Sequence, residues 1–208
     1  MNIGIIGSGN MGGNLARLWV NAGHTIYITS NRLENTKELA KAIGKNIYVG
    51  ELKELIQKSD VILFAIPYET LGEIAQLKSL FKGKTIIDCI NPLTTDALNM
   101  LIGFNTSAGE EVAGQFPEAK VVKAFNVIAS PVLERDDVRI NSVAPSAFFC
   151  GDDESSKAIV SKLISDIGFE PVDSGALKNA RYLEPMAELL IQLAFAGLGA
   201  NIGFKLLK

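Results

Sequence analysis

The sequence predicts an α/β fold: a doubly wound Rossmann-type sheet of mostly parallel strands, followed by a short helical C-terminal segment. Three observations predict it. Short β-rich runs alternate with amphipathic helical segments along most of the 208 residues. A glycine-rich turn, GIIGSGNMGG, follows the first of these runs. The run DVILFAI, at 60–66, is apolar after its first residue, which is typical of a strand covered by helices on both faces. Such alternation favours a parallel sheet.

In the first half of the chain, β-rich runs bounded by turn residues define the strands. Met11, Leu15, Leu18 and Ala22 fall on one face of the first helix at helical spacing. Pro67 ends the fourth strand, because proline cannot donate to the next bond of the sheet. The predicted strands are 2–6, 24–29, 46–49, 60–66 and 84–90, and the predicted helices are 10–22, 33–43, 51–59 and 69–80.

The second half begins with a predicted loop at 93–106. Ser107 and Glu110 then have capping-box spacing and predict a helix that extends to about residue 116. Acidic residues at 152–154 precede another predicted helix. The predicted strands are 119–125, 146–150 and about 169–173, and the predicted helices are 107–116, about 154–167 and 178–206. We therefore expect a dinucleotide-binding domain at 1–175 and a helical segment at 176–208 packed on it.

Composition excludes several classes of protein. The chain is 48% hydrophobic and 21% charged with a net charge of −3, which does not indicate a nucleic-acid or membrane-surface partner. The opening MNIGIIG lacks the basic region of a signal peptide, so we expect a cytoplasmic protein. Glu184, Pro185, Gln192 and Asn201 interrupt the apolar region at 183–206, which therefore falls short of the ~20 residues that a membrane span needs.

Several residues that often carry chemistry have simpler interpretations here. Cys89 and Cys150 lie in apolar runs without metal-ligand spacing, so we expect buried thiols and no metal. We expect a structural role for His24, which starts the second strand. The acids at 152–154 favour stabilisation of a helix dipole over metal binding.

Further expectations concern packing. Arg181 and Glu184 are three residues apart and could pair on one helix face. Trp19 and the phenylalanines at 148 and 149 are predicted core residues. The glycines at 197, 199 and 203 allow close helix contact, either within the chain or across a homodimer interface.

The glycine-rich turn has the spacing GxGxxG. Gly7 would permit the tight turn, Gly9 would let a pyrophosphate approach the backbone, and Gly12 would let the helix pack closely on the strand. The turn follows a strand and opens a helix, which is the context that supports dinucleotide binding. A glycine-rich turn without a ligand is the alternative.

The end of the second strand favours NADP over NAD. An NAD-binding unit usually has an acid about 20 residues after the glycines, which accepts hydrogen bonds from the ribose 2′-OH. Here the segment reads ITSNR and contains no acid. Ser30 can donate to a 2′-phosphate and Arg32 can form charge-assisted contacts with it. A solvated turn with Arg32 directed to water is the alternative.

The remaining strand ends would line the nicotinamide, because ligands of open α/β sheets lie beyond the carboxyl ends of the strands. Pro67 and Tyr68 can form a wall beside the ring. Asn91 offers a donor and an acceptor. Lys123, near the end of a buried strand, could be catalytic or could anchor a loop carboxylate. Phe125 is a predicted core residue.

Several motifs together resemble a known family. They are the glycine loop, SNR, NPL, VVKAFN, the long segment from FFCGDDES to NARYLEP, and GLGANIGFKLL. They resemble the NADP oxidoreductases that depend on coenzyme F-420 (F420), and also the cytoplasmic reductase domain of six-transmembrane ferric reductases. The similarity runs nearly end to end and is weakest at 97–118.

The resemblance implies hydride transfer between NADPH and a flavin or deazaflavin, a small-molecule acceptor such as FMN, FAD or F420. The cofactors carry such chemistry and the protein aligns two rings. The matching motifs assign the pyrophosphate, the 2′-phosphate and the nicotinamide to three groups of residues. These are Gly7, Ser8, Gly9, Asn10, Met11 and Gly12; Ser30, Asn31 and Arg32; and Pro67, Tyr68, Asn91, Pro92 and Asn126.

The chain departs from the family pattern at two places. Archaeal deazaflavin enzymes carry an HTIP-like segment where this chain has FNVI, with a histidine at the position of Asn126. The KAFN version resembles the ferric reductase branch, which uses an ordinary flavin. Asn31 stands where an arginine is common, so phosphate affinity would depend more on Arg32.

Two other functions stay open. One is reduction of a small imine or hydroxy acid, although related folds enclose such substrates with a larger helical domain than the roughly 30 residues that follow the sheet here. The other is a non-catalytic NADPH sensor, with which the few acid–base residues are compatible.

Overall fold

The computed structural model describes residues 1–94, 96 and 99–207. These residues form one eight-stranded sheet in the order β3-β2-β1-β4-β5-β6-β7-β8. All neighbouring strands are parallel except β6 and β7, which are antiparallel. The strands are β1 (Asn2–Ile6), β2 (Thr25–Thr29), β3 (Ile47–Val49), β4 (Val61–Phe64), β5 (Thr85–Asp88), β6 (Lys120–Ala124), β7 (Ser146–Gly151) and β8 (Glu170–Asp173). The predicted fold class is confirmed.

Helices cover both faces of the sheet. On one face, Leu15 and Trp19 of the first helix pack with Leu163 of the seventh. On the other, Leu55 and Val112 pack against the opposite side of the strands. The helices are α1 (Asn10–Asn21), α2 (Leu33–Ile43), α3 (Leu52–Lys58), α4 (Leu71–Ala75), α5 (Ala108–Gln115), α6 (Ser130–Leu133), α7 (Glu154–Asp166) and α8 (Ala180–Leu193). This arrangement leaves the carboxyl ends of β1, β2, β4, β5 and β6 at one edge of the sheet.

The prediction of one continuous helix at 69–80 is wrong. It is divided into a 3-10 turn at Tyr68–Thr70, the short α4, and a second 3-10 turn at Lys78–Phe81. Bonds from residue i to i+3 replace helical bonds here, as between the Leu77 N–H and the Ile74 carbonyl. The sequence also did not predict α6. The loop predicted at 93–106 lies partly outside the described residues, since 95, 97 and 98 are not among them.

The helical tail predicted at 178–206 is too long. After α8, a single π-helical turn covers Ala194–Leu198, and residues 199–207 are not helical. Gly197 and Gly199 have φ of +106° and +71°, left-handed values that end the helix. A Cβ at either would meet no atom within 4 Å, so they do not provide close helix contact within the chain, and contact across a homodimer interface stays a prediction. A Cβ at Gly203 would lie 3.3 Å from Pro145, which is in a loop.

α8 packs on the sheet through its own small cluster. Leu183 and Ala187 pack with Cys150 of β7 and with Val127. The division of the chain at residue 175 stays a prediction. Trp19 and Phe149 are buried as predicted, whereas Phe148 is only partly buried.

Candidate functional site

The turn between β1 and α1 is closed tightly by two glycines. Gly7 has φ of +108°, and a Cβ there would lie 2.1 Å from the Ala65 carbonyl oxygen. A Cβ at Gly12 would lie 2.0 Å from the Gly7 carbonyl oxygen. Neither position can accept a side chain without moving backbone. The structure thus explains the first and third glycines by packing alone.

Gly9 differs from both, because a Cβ there would meet no atom within 4 Å. It is the N-cap of α1, and the first backbone bond of the helix runs from the Gly13 N–H to the Gly9 carbonyl. The N–H groups of Asn10, Met11 and Gly12 precede that bond, so they lack a helical partner. Open space beside free N–H groups at the positive end of a helix dipole suits an anion.

Three hydroxyl groups join this turn to β2 and α2. Ser8 Oγ lies 3.0 Å from Ser30 Oγ and 2.8 Å from Thr36 Oγ1, and the last two atoms are 2.7 Å apart. Thr36 is fully buried, whereas Ser8 and Ser30 are partly exposed. We call these three side chains the hydroxyl triangle. The sequence analysis proposed Ser8 and Ser30 as site residues but did not include Thr36. The available signal for Thr36 was its spacing of four residues from the buried Ala40.

The loop after β2 places Asn31 and Arg32 at the surface. The Arg32 backbone N–H donates to Ser30 Oγ at 3.1 Å, and its carbonyl accepts from Thr36 Oγ1 at the same distance. Among the described residues, the guanidinium of Arg32 has no hydrogen-bond or ion-pair partner. An exposed, unpaired arginine at the end of β2 is free to meet a phosphate.

Pro67 and Tyr68 follow β4 at the same edge of the sheet. The Tyr68 hydroxyl donates to Glu111 Oε2 on α5 at 2.5 Å. Burial and then the neighbouring Glu111 carboxylate raise the pKa of Tyr68 to about 12. The tyrosine therefore keeps its proton at neutral pH, and its hydrogen bond to Glu111 fixes the position of the ring.

Asn91 and Asn126, after β5 and β6, are joined by two hydrogen bonds. Asn91 Nδ2 donates to the Asn126 carbonyl at 2.9 Å, and Asn126 Nδ2 donates to Asn91 Oδ1 at 3.1 Å. Asn126 Nδ2 also donates to the Leu183 carbonyl of α8 at 3.0 Å, which fixes the orientation of the amide. Its Oδ1 is buried and has no hydrogen-bond partner. A buried acceptor of this kind needs a donor, and a ligand amide can supply one.

Lys123 lies in a fully buried ion cluster with Asp88 and Glu184. Its Nζ is 2.9 Å from Asp88 Oδ2 and 2.6 Å from Glu184 Oε1, and it also donates to the Ile90 carbonyl. Burial lowers the pKa of Lys123, but the two carboxylates outweigh burial and raise it, so the amine stays charged. The carboxylates belong to β5 and α8. Lys123 thus anchors two carboxylates, although neither lies in a loop as the anchoring alternative expected. A catalytic role for Lys123 stays a prediction.

Glu184 also holds the first turn of α5, whose N-cap is Ser107. Its two carboxylate oxygens accept from the backbone N–H groups of Ala108 and Gly109 at 2.9 and 3.0 Å. Burial raises the pKa of Glu184 despite its contact with Lys123. The pairing of Arg181 with Glu184 predicted from their spacing is wrong, because Arg181 pairs with Glu110 at 2.7 Å and Glu184 with Lys123. This cluster joins β5, β6, α5 and α8, and sequence reasoning did not find it.

The remaining candidates are structural. His24 Nε2 lies 3.0 Å from Asp166 Oδ2 and ties the α1–β2 turn to α7, as predicted. Asp153 caps α7 by accepting from the Ser156 N–H. Cys89 and Cys150 are buried free thiols. The described residues contain no group of three or more potential metal ligands.

Comparison with known proteins identifies the family. The family model for coenzyme F420-dependent NADP oxidoreductases matches residues 2–92. The F420-dependent NADP reductase of Methanocaldococcus jannaschii is 34% identical over 99% of this chain and 94% of its own length. The chain belongs to this family. The resemblance in the sequence is thereby confirmed, and so is the predicted class, an NADP-dependent oxidoreductase.

Other similarities agree with this family. The metalloreductase STEAP3 of Rattus norvegicus is 30% identical over 88% of this chain, which spans only 35% of that longer protein. The crystal structure of a candidate F420-dependent NADP reductase from Arthrobacter sp. FB24 aligns with this chain over the full length of both, with a TM-score of 0.88 and 25% identity. A reductive aminase from Aspergillus terreus, at 18% identity and a TM-score of 0.68, shares the fold. Among the described residues, no helix is long and apolar enough to cross a membrane.

Proposed function

We propose that the protein binds NADP(H) along the carboxyl edge of the sheet and transfers a hydride between its nicotinamide and a flavin or deazaflavin. The observation that carries this proposal is the buried, unpartnered Oδ1 of Asn126, which lies at the edge where the nicotinamide would end. The unpaired guanidinium of Arg32 lies toward the other end of the same edge. The two groups suit the carboxamide and the 2′-phosphate of one extended dinucleotide.

The residues fit NADP in three places. The free N–H groups of Asn10, Met11 and Gly12 would hold the pyrophosphate over Gly9. Ser8, Ser30, Asn31 and Arg32 surround the proposed 2′-phosphate position. Pro67, Tyr68, Asn91, Pro92 and Asn126 would line the nicotinamide.

The chain's own groups would act mainly by alignment. When bound, the nicotinamide supplies or accepts the hydride. Asn126 Oδ1 would accept a hydrogen bond from the carboxamide and fix which face of the ring is presented. Asn91 and the Leu183 carbonyl hold that amide in place. Tyr68 would limit the access of water from the β4 side. Hydride transfer between two aligned rings needs no further acid or base from the protein.

F420 is the acceptor that the comparisons favour over FMN or FAD. The Methanocaldococcus relative is named an F420-dependent NADP reductase, and it matches this chain along 94% of its length. Asn126, in place of the histidine of archaeal enzymes, keeps an ordinary flavin as the second candidate.

Steady-state oxidation of NADPH with F420, FMN and FAD under anaerobic conditions tests the proposal. We expect turnover with at least one acceptor and none with a simple cyclic imine. An Asn126→Leu variant should lose turnover while it keeps the fold, measured by circular dichroism. Binding of NADPH without turnover on any of the three acceptors would contradict hydride transfer and favour an NADPH sensor.

The homodimer stays a prediction. Apolar side chains lie exposed on α8 and on the turn that follows it, among them Leu189 at 51%, Phe195 at 67% and Leu198 at 64%. Light scattering coupled to gel filtration would measure the mass in solution and decide the point.

A further inference from the structure

The hydroxyl triangle of Ser8, Ser30 and Thr36 has a proton arrangement that bears on cofactor choice. The Arg32 carbonyl can only accept, so the Thr36 hydroxyl uses its single proton in the bond to that carbonyl. Thr36 Oγ1 is then an acceptor for Ser30, at 2.7 Å. Ser30 Oγ in turn accepts from the Arg32 N–H. The proton of Ser30 is therefore directed inward and away from a 2′-phosphate.

Thr36 consequently closes a ring of bonds around the loop at 30–32. Its hydroxyl accepts a hydrogen bond from Ser30 and donates one to the Arg32 carbonyl. Its Oγ1 also lies 2.8 Å from Ser8 Oγ of the glycine turn. Thr36 is fully buried on α2, an element of eleven residues whose N-cap is Arg32, and the Thr36 backbone N–H also donates to the Arg32 carbonyl at 3.1 Å. The exposed loop is thus positioned by a rigid, buried group, and the same group joins the two regions of phosphate contact.

We propose that the Thr36 hydroxyl is a positioning residue for NADP selectivity. It holds the backbone of Arg32 so that the guanidinium is presented to the 2′-phosphate, and it aligns the turn at Ser8 with that position. This inference rests on the proposed binding of NADP. Thr36 does not touch the cofactor itself, so its effect is on the fraction of molecules whose loop is ready to bind.

The expected effect follows from that fraction. A site that is competent only part of the time has an apparent Kd raised by the inverse of the competent fraction. Loss of the Thr36 hydroxyl would leave Ser30 Oγ without its buried acceptor and would remove one of the two bonds from Thr36 to the Arg32 carbonyl, while the backbone N–H bond remains. We therefore expect Thr36→Val, which keeps the shape of the side chain, to raise the Kd of NADPH roughly five- to thirtyfold. The Kd of NADH, which has no 2′-phosphate, should change much less.

Isothermal titration of NADPH and NADH against four proteins tests the proposal: wild type, Thr36→Val, Thr36→Ser and Thr85→Val. Thr36→Ser keeps the hydroxyl and should restore the wild-type ratio of the two Kd values. Thr85 is a matched control, since its buried hydroxyl pairs with Ser156 at 2.8 Å on β5 and α7. Thr85→Val should lower stability and leave the ratio unchanged.

The outcomes separate this inference from the proposed function. A wild-type protein that binds both cofactors equally would overturn the preference for NADP on which the inference rests, and one that binds neither would overturn the proposed function. A wild-type preference for NADPH that Thr36→Val leaves intact would overturn the role of Thr36 alone. If Thr36→Val does not fold, Ser8→Ala removes a partly exposed member of the triangle, and an unchanged ratio in that variant would also overturn it.

Discussion

The proposed adenosine side of the site, around β2, and the proposed nicotinamide side, around β5 and β6, differ in how their charges are partnered. Arg32 is exposed and its guanidinium has no partner among the described residues, whereas Lys123 is fully buried between two carboxylates. Loss of a free surface charge costs the fold little, and loss of a buried, paired one costs it much. The two cations therefore differ in purpose: one is available to a ligand, and the other holds strands and helices together.

The largest expected effect comes from breaking the buried side. Lys123→Met leaves Asp88 and Glu184 buried without a cation, and we expect the free energy of unfolding to fall by about 3–5 kcal/mol at neutral pH. Urea denaturation measures the change. Lys58→Met is the matched control: its pair with Glu54 is about half exposed, so little change is expected.

The same variant has a signed dependence on pH. Burial already raises the pKa of Glu184, and without Lys123 the attraction that opposes this rise is lost, so the pKa of Glu184 stays above that of the unfolded chain. The folded state then binds a proton more readily, so the stability deficit should shrink as pH is lowered. A deficit that is independent of pH, or no larger than that of Lys58→Met, would show that the cluster does not carry the predicted charges.

The second prediction concerns the open side. Arg32→Ala should leave the urea midpoint unchanged and raise the Kd of NADPH roughly ten- to a hundredfold, because one charge-assisted contact is lost. The Kd of NADH should stay nearly constant. Arg139→Ala provides the control, since Arg139 is an exposed arginine paired with Asp137 between β6 and β7. Equal losses for both cofactors would mean that Arg32 does not select for the 2′-phosphate.

A third prediction separates pyrophosphate binding from selectivity. Gly9→Ala puts a methyl group into open space, so the fold should tolerate it. The same methyl group would occupy the proposed pyrophosphate position and weaken NADPH and NADH alike, about tenfold or more. Gly12→Ala, with its Cβ 2.0 Å from the Gly7 carbonyl oxygen, should instead impair folding. Unaltered cofactor affinity in a folded Gly9→Ala protein would place the phosphates elsewhere.

The smallest effect lies outside both sides, at His24. Burial lowers the pKa of His24 below its usual 6.5 even though Asp166 opposes the shift. The unfolded chain therefore binds a proton that the folded protein does not, and stability falls as pH drops below about 6.5. The slope stays under ~1.4 kcal/mol per pH unit. In His24→Gln, the urea midpoint should change less with pH between about pH 7.5 and pH 5.5 than in wild type. An unchanged pH dependence would mean that other groups cause it.

The two sides also differ in how far the sequence predicts them. The proposed adenosine side consists of residues close together in the chain, so glycine spacing and the absence of an acid after β2 were sufficient to propose it from sequence. The sequence did not predict the role of Thr36, because Thr36 lies on the buried face of α2, where spacing predicts only a core residue. Local pattern also predicted nearly every strand, since buried parallel strands are apolar throughout.

The nicotinamide side depends on contacts between distant segments. Lys123 and Asp88 are 35 residues apart, and Asn126 and Leu183 are 57 apart. No local period encodes such pairs. Helical spacing instead suggested that Arg181 and Glu184 would meet each other, and tertiary packing gave each a different partner. The acids in α8 could be placed only once the sheet was assembled.

Phe125 lies between the buried cluster and the amide of Asn126, and its backbone has a left-handed φ of +65°. A bulky residue in that region stores about 1–3 kcal/mol of conformational strain. Its ring, edge-on to Trp19 at a centroid distance of 5.6 Å, holds the chain in that shape from the far face of the sheet. The indole of Trp19 thus supports, from within the α1 layer, the turn that carries Asn126.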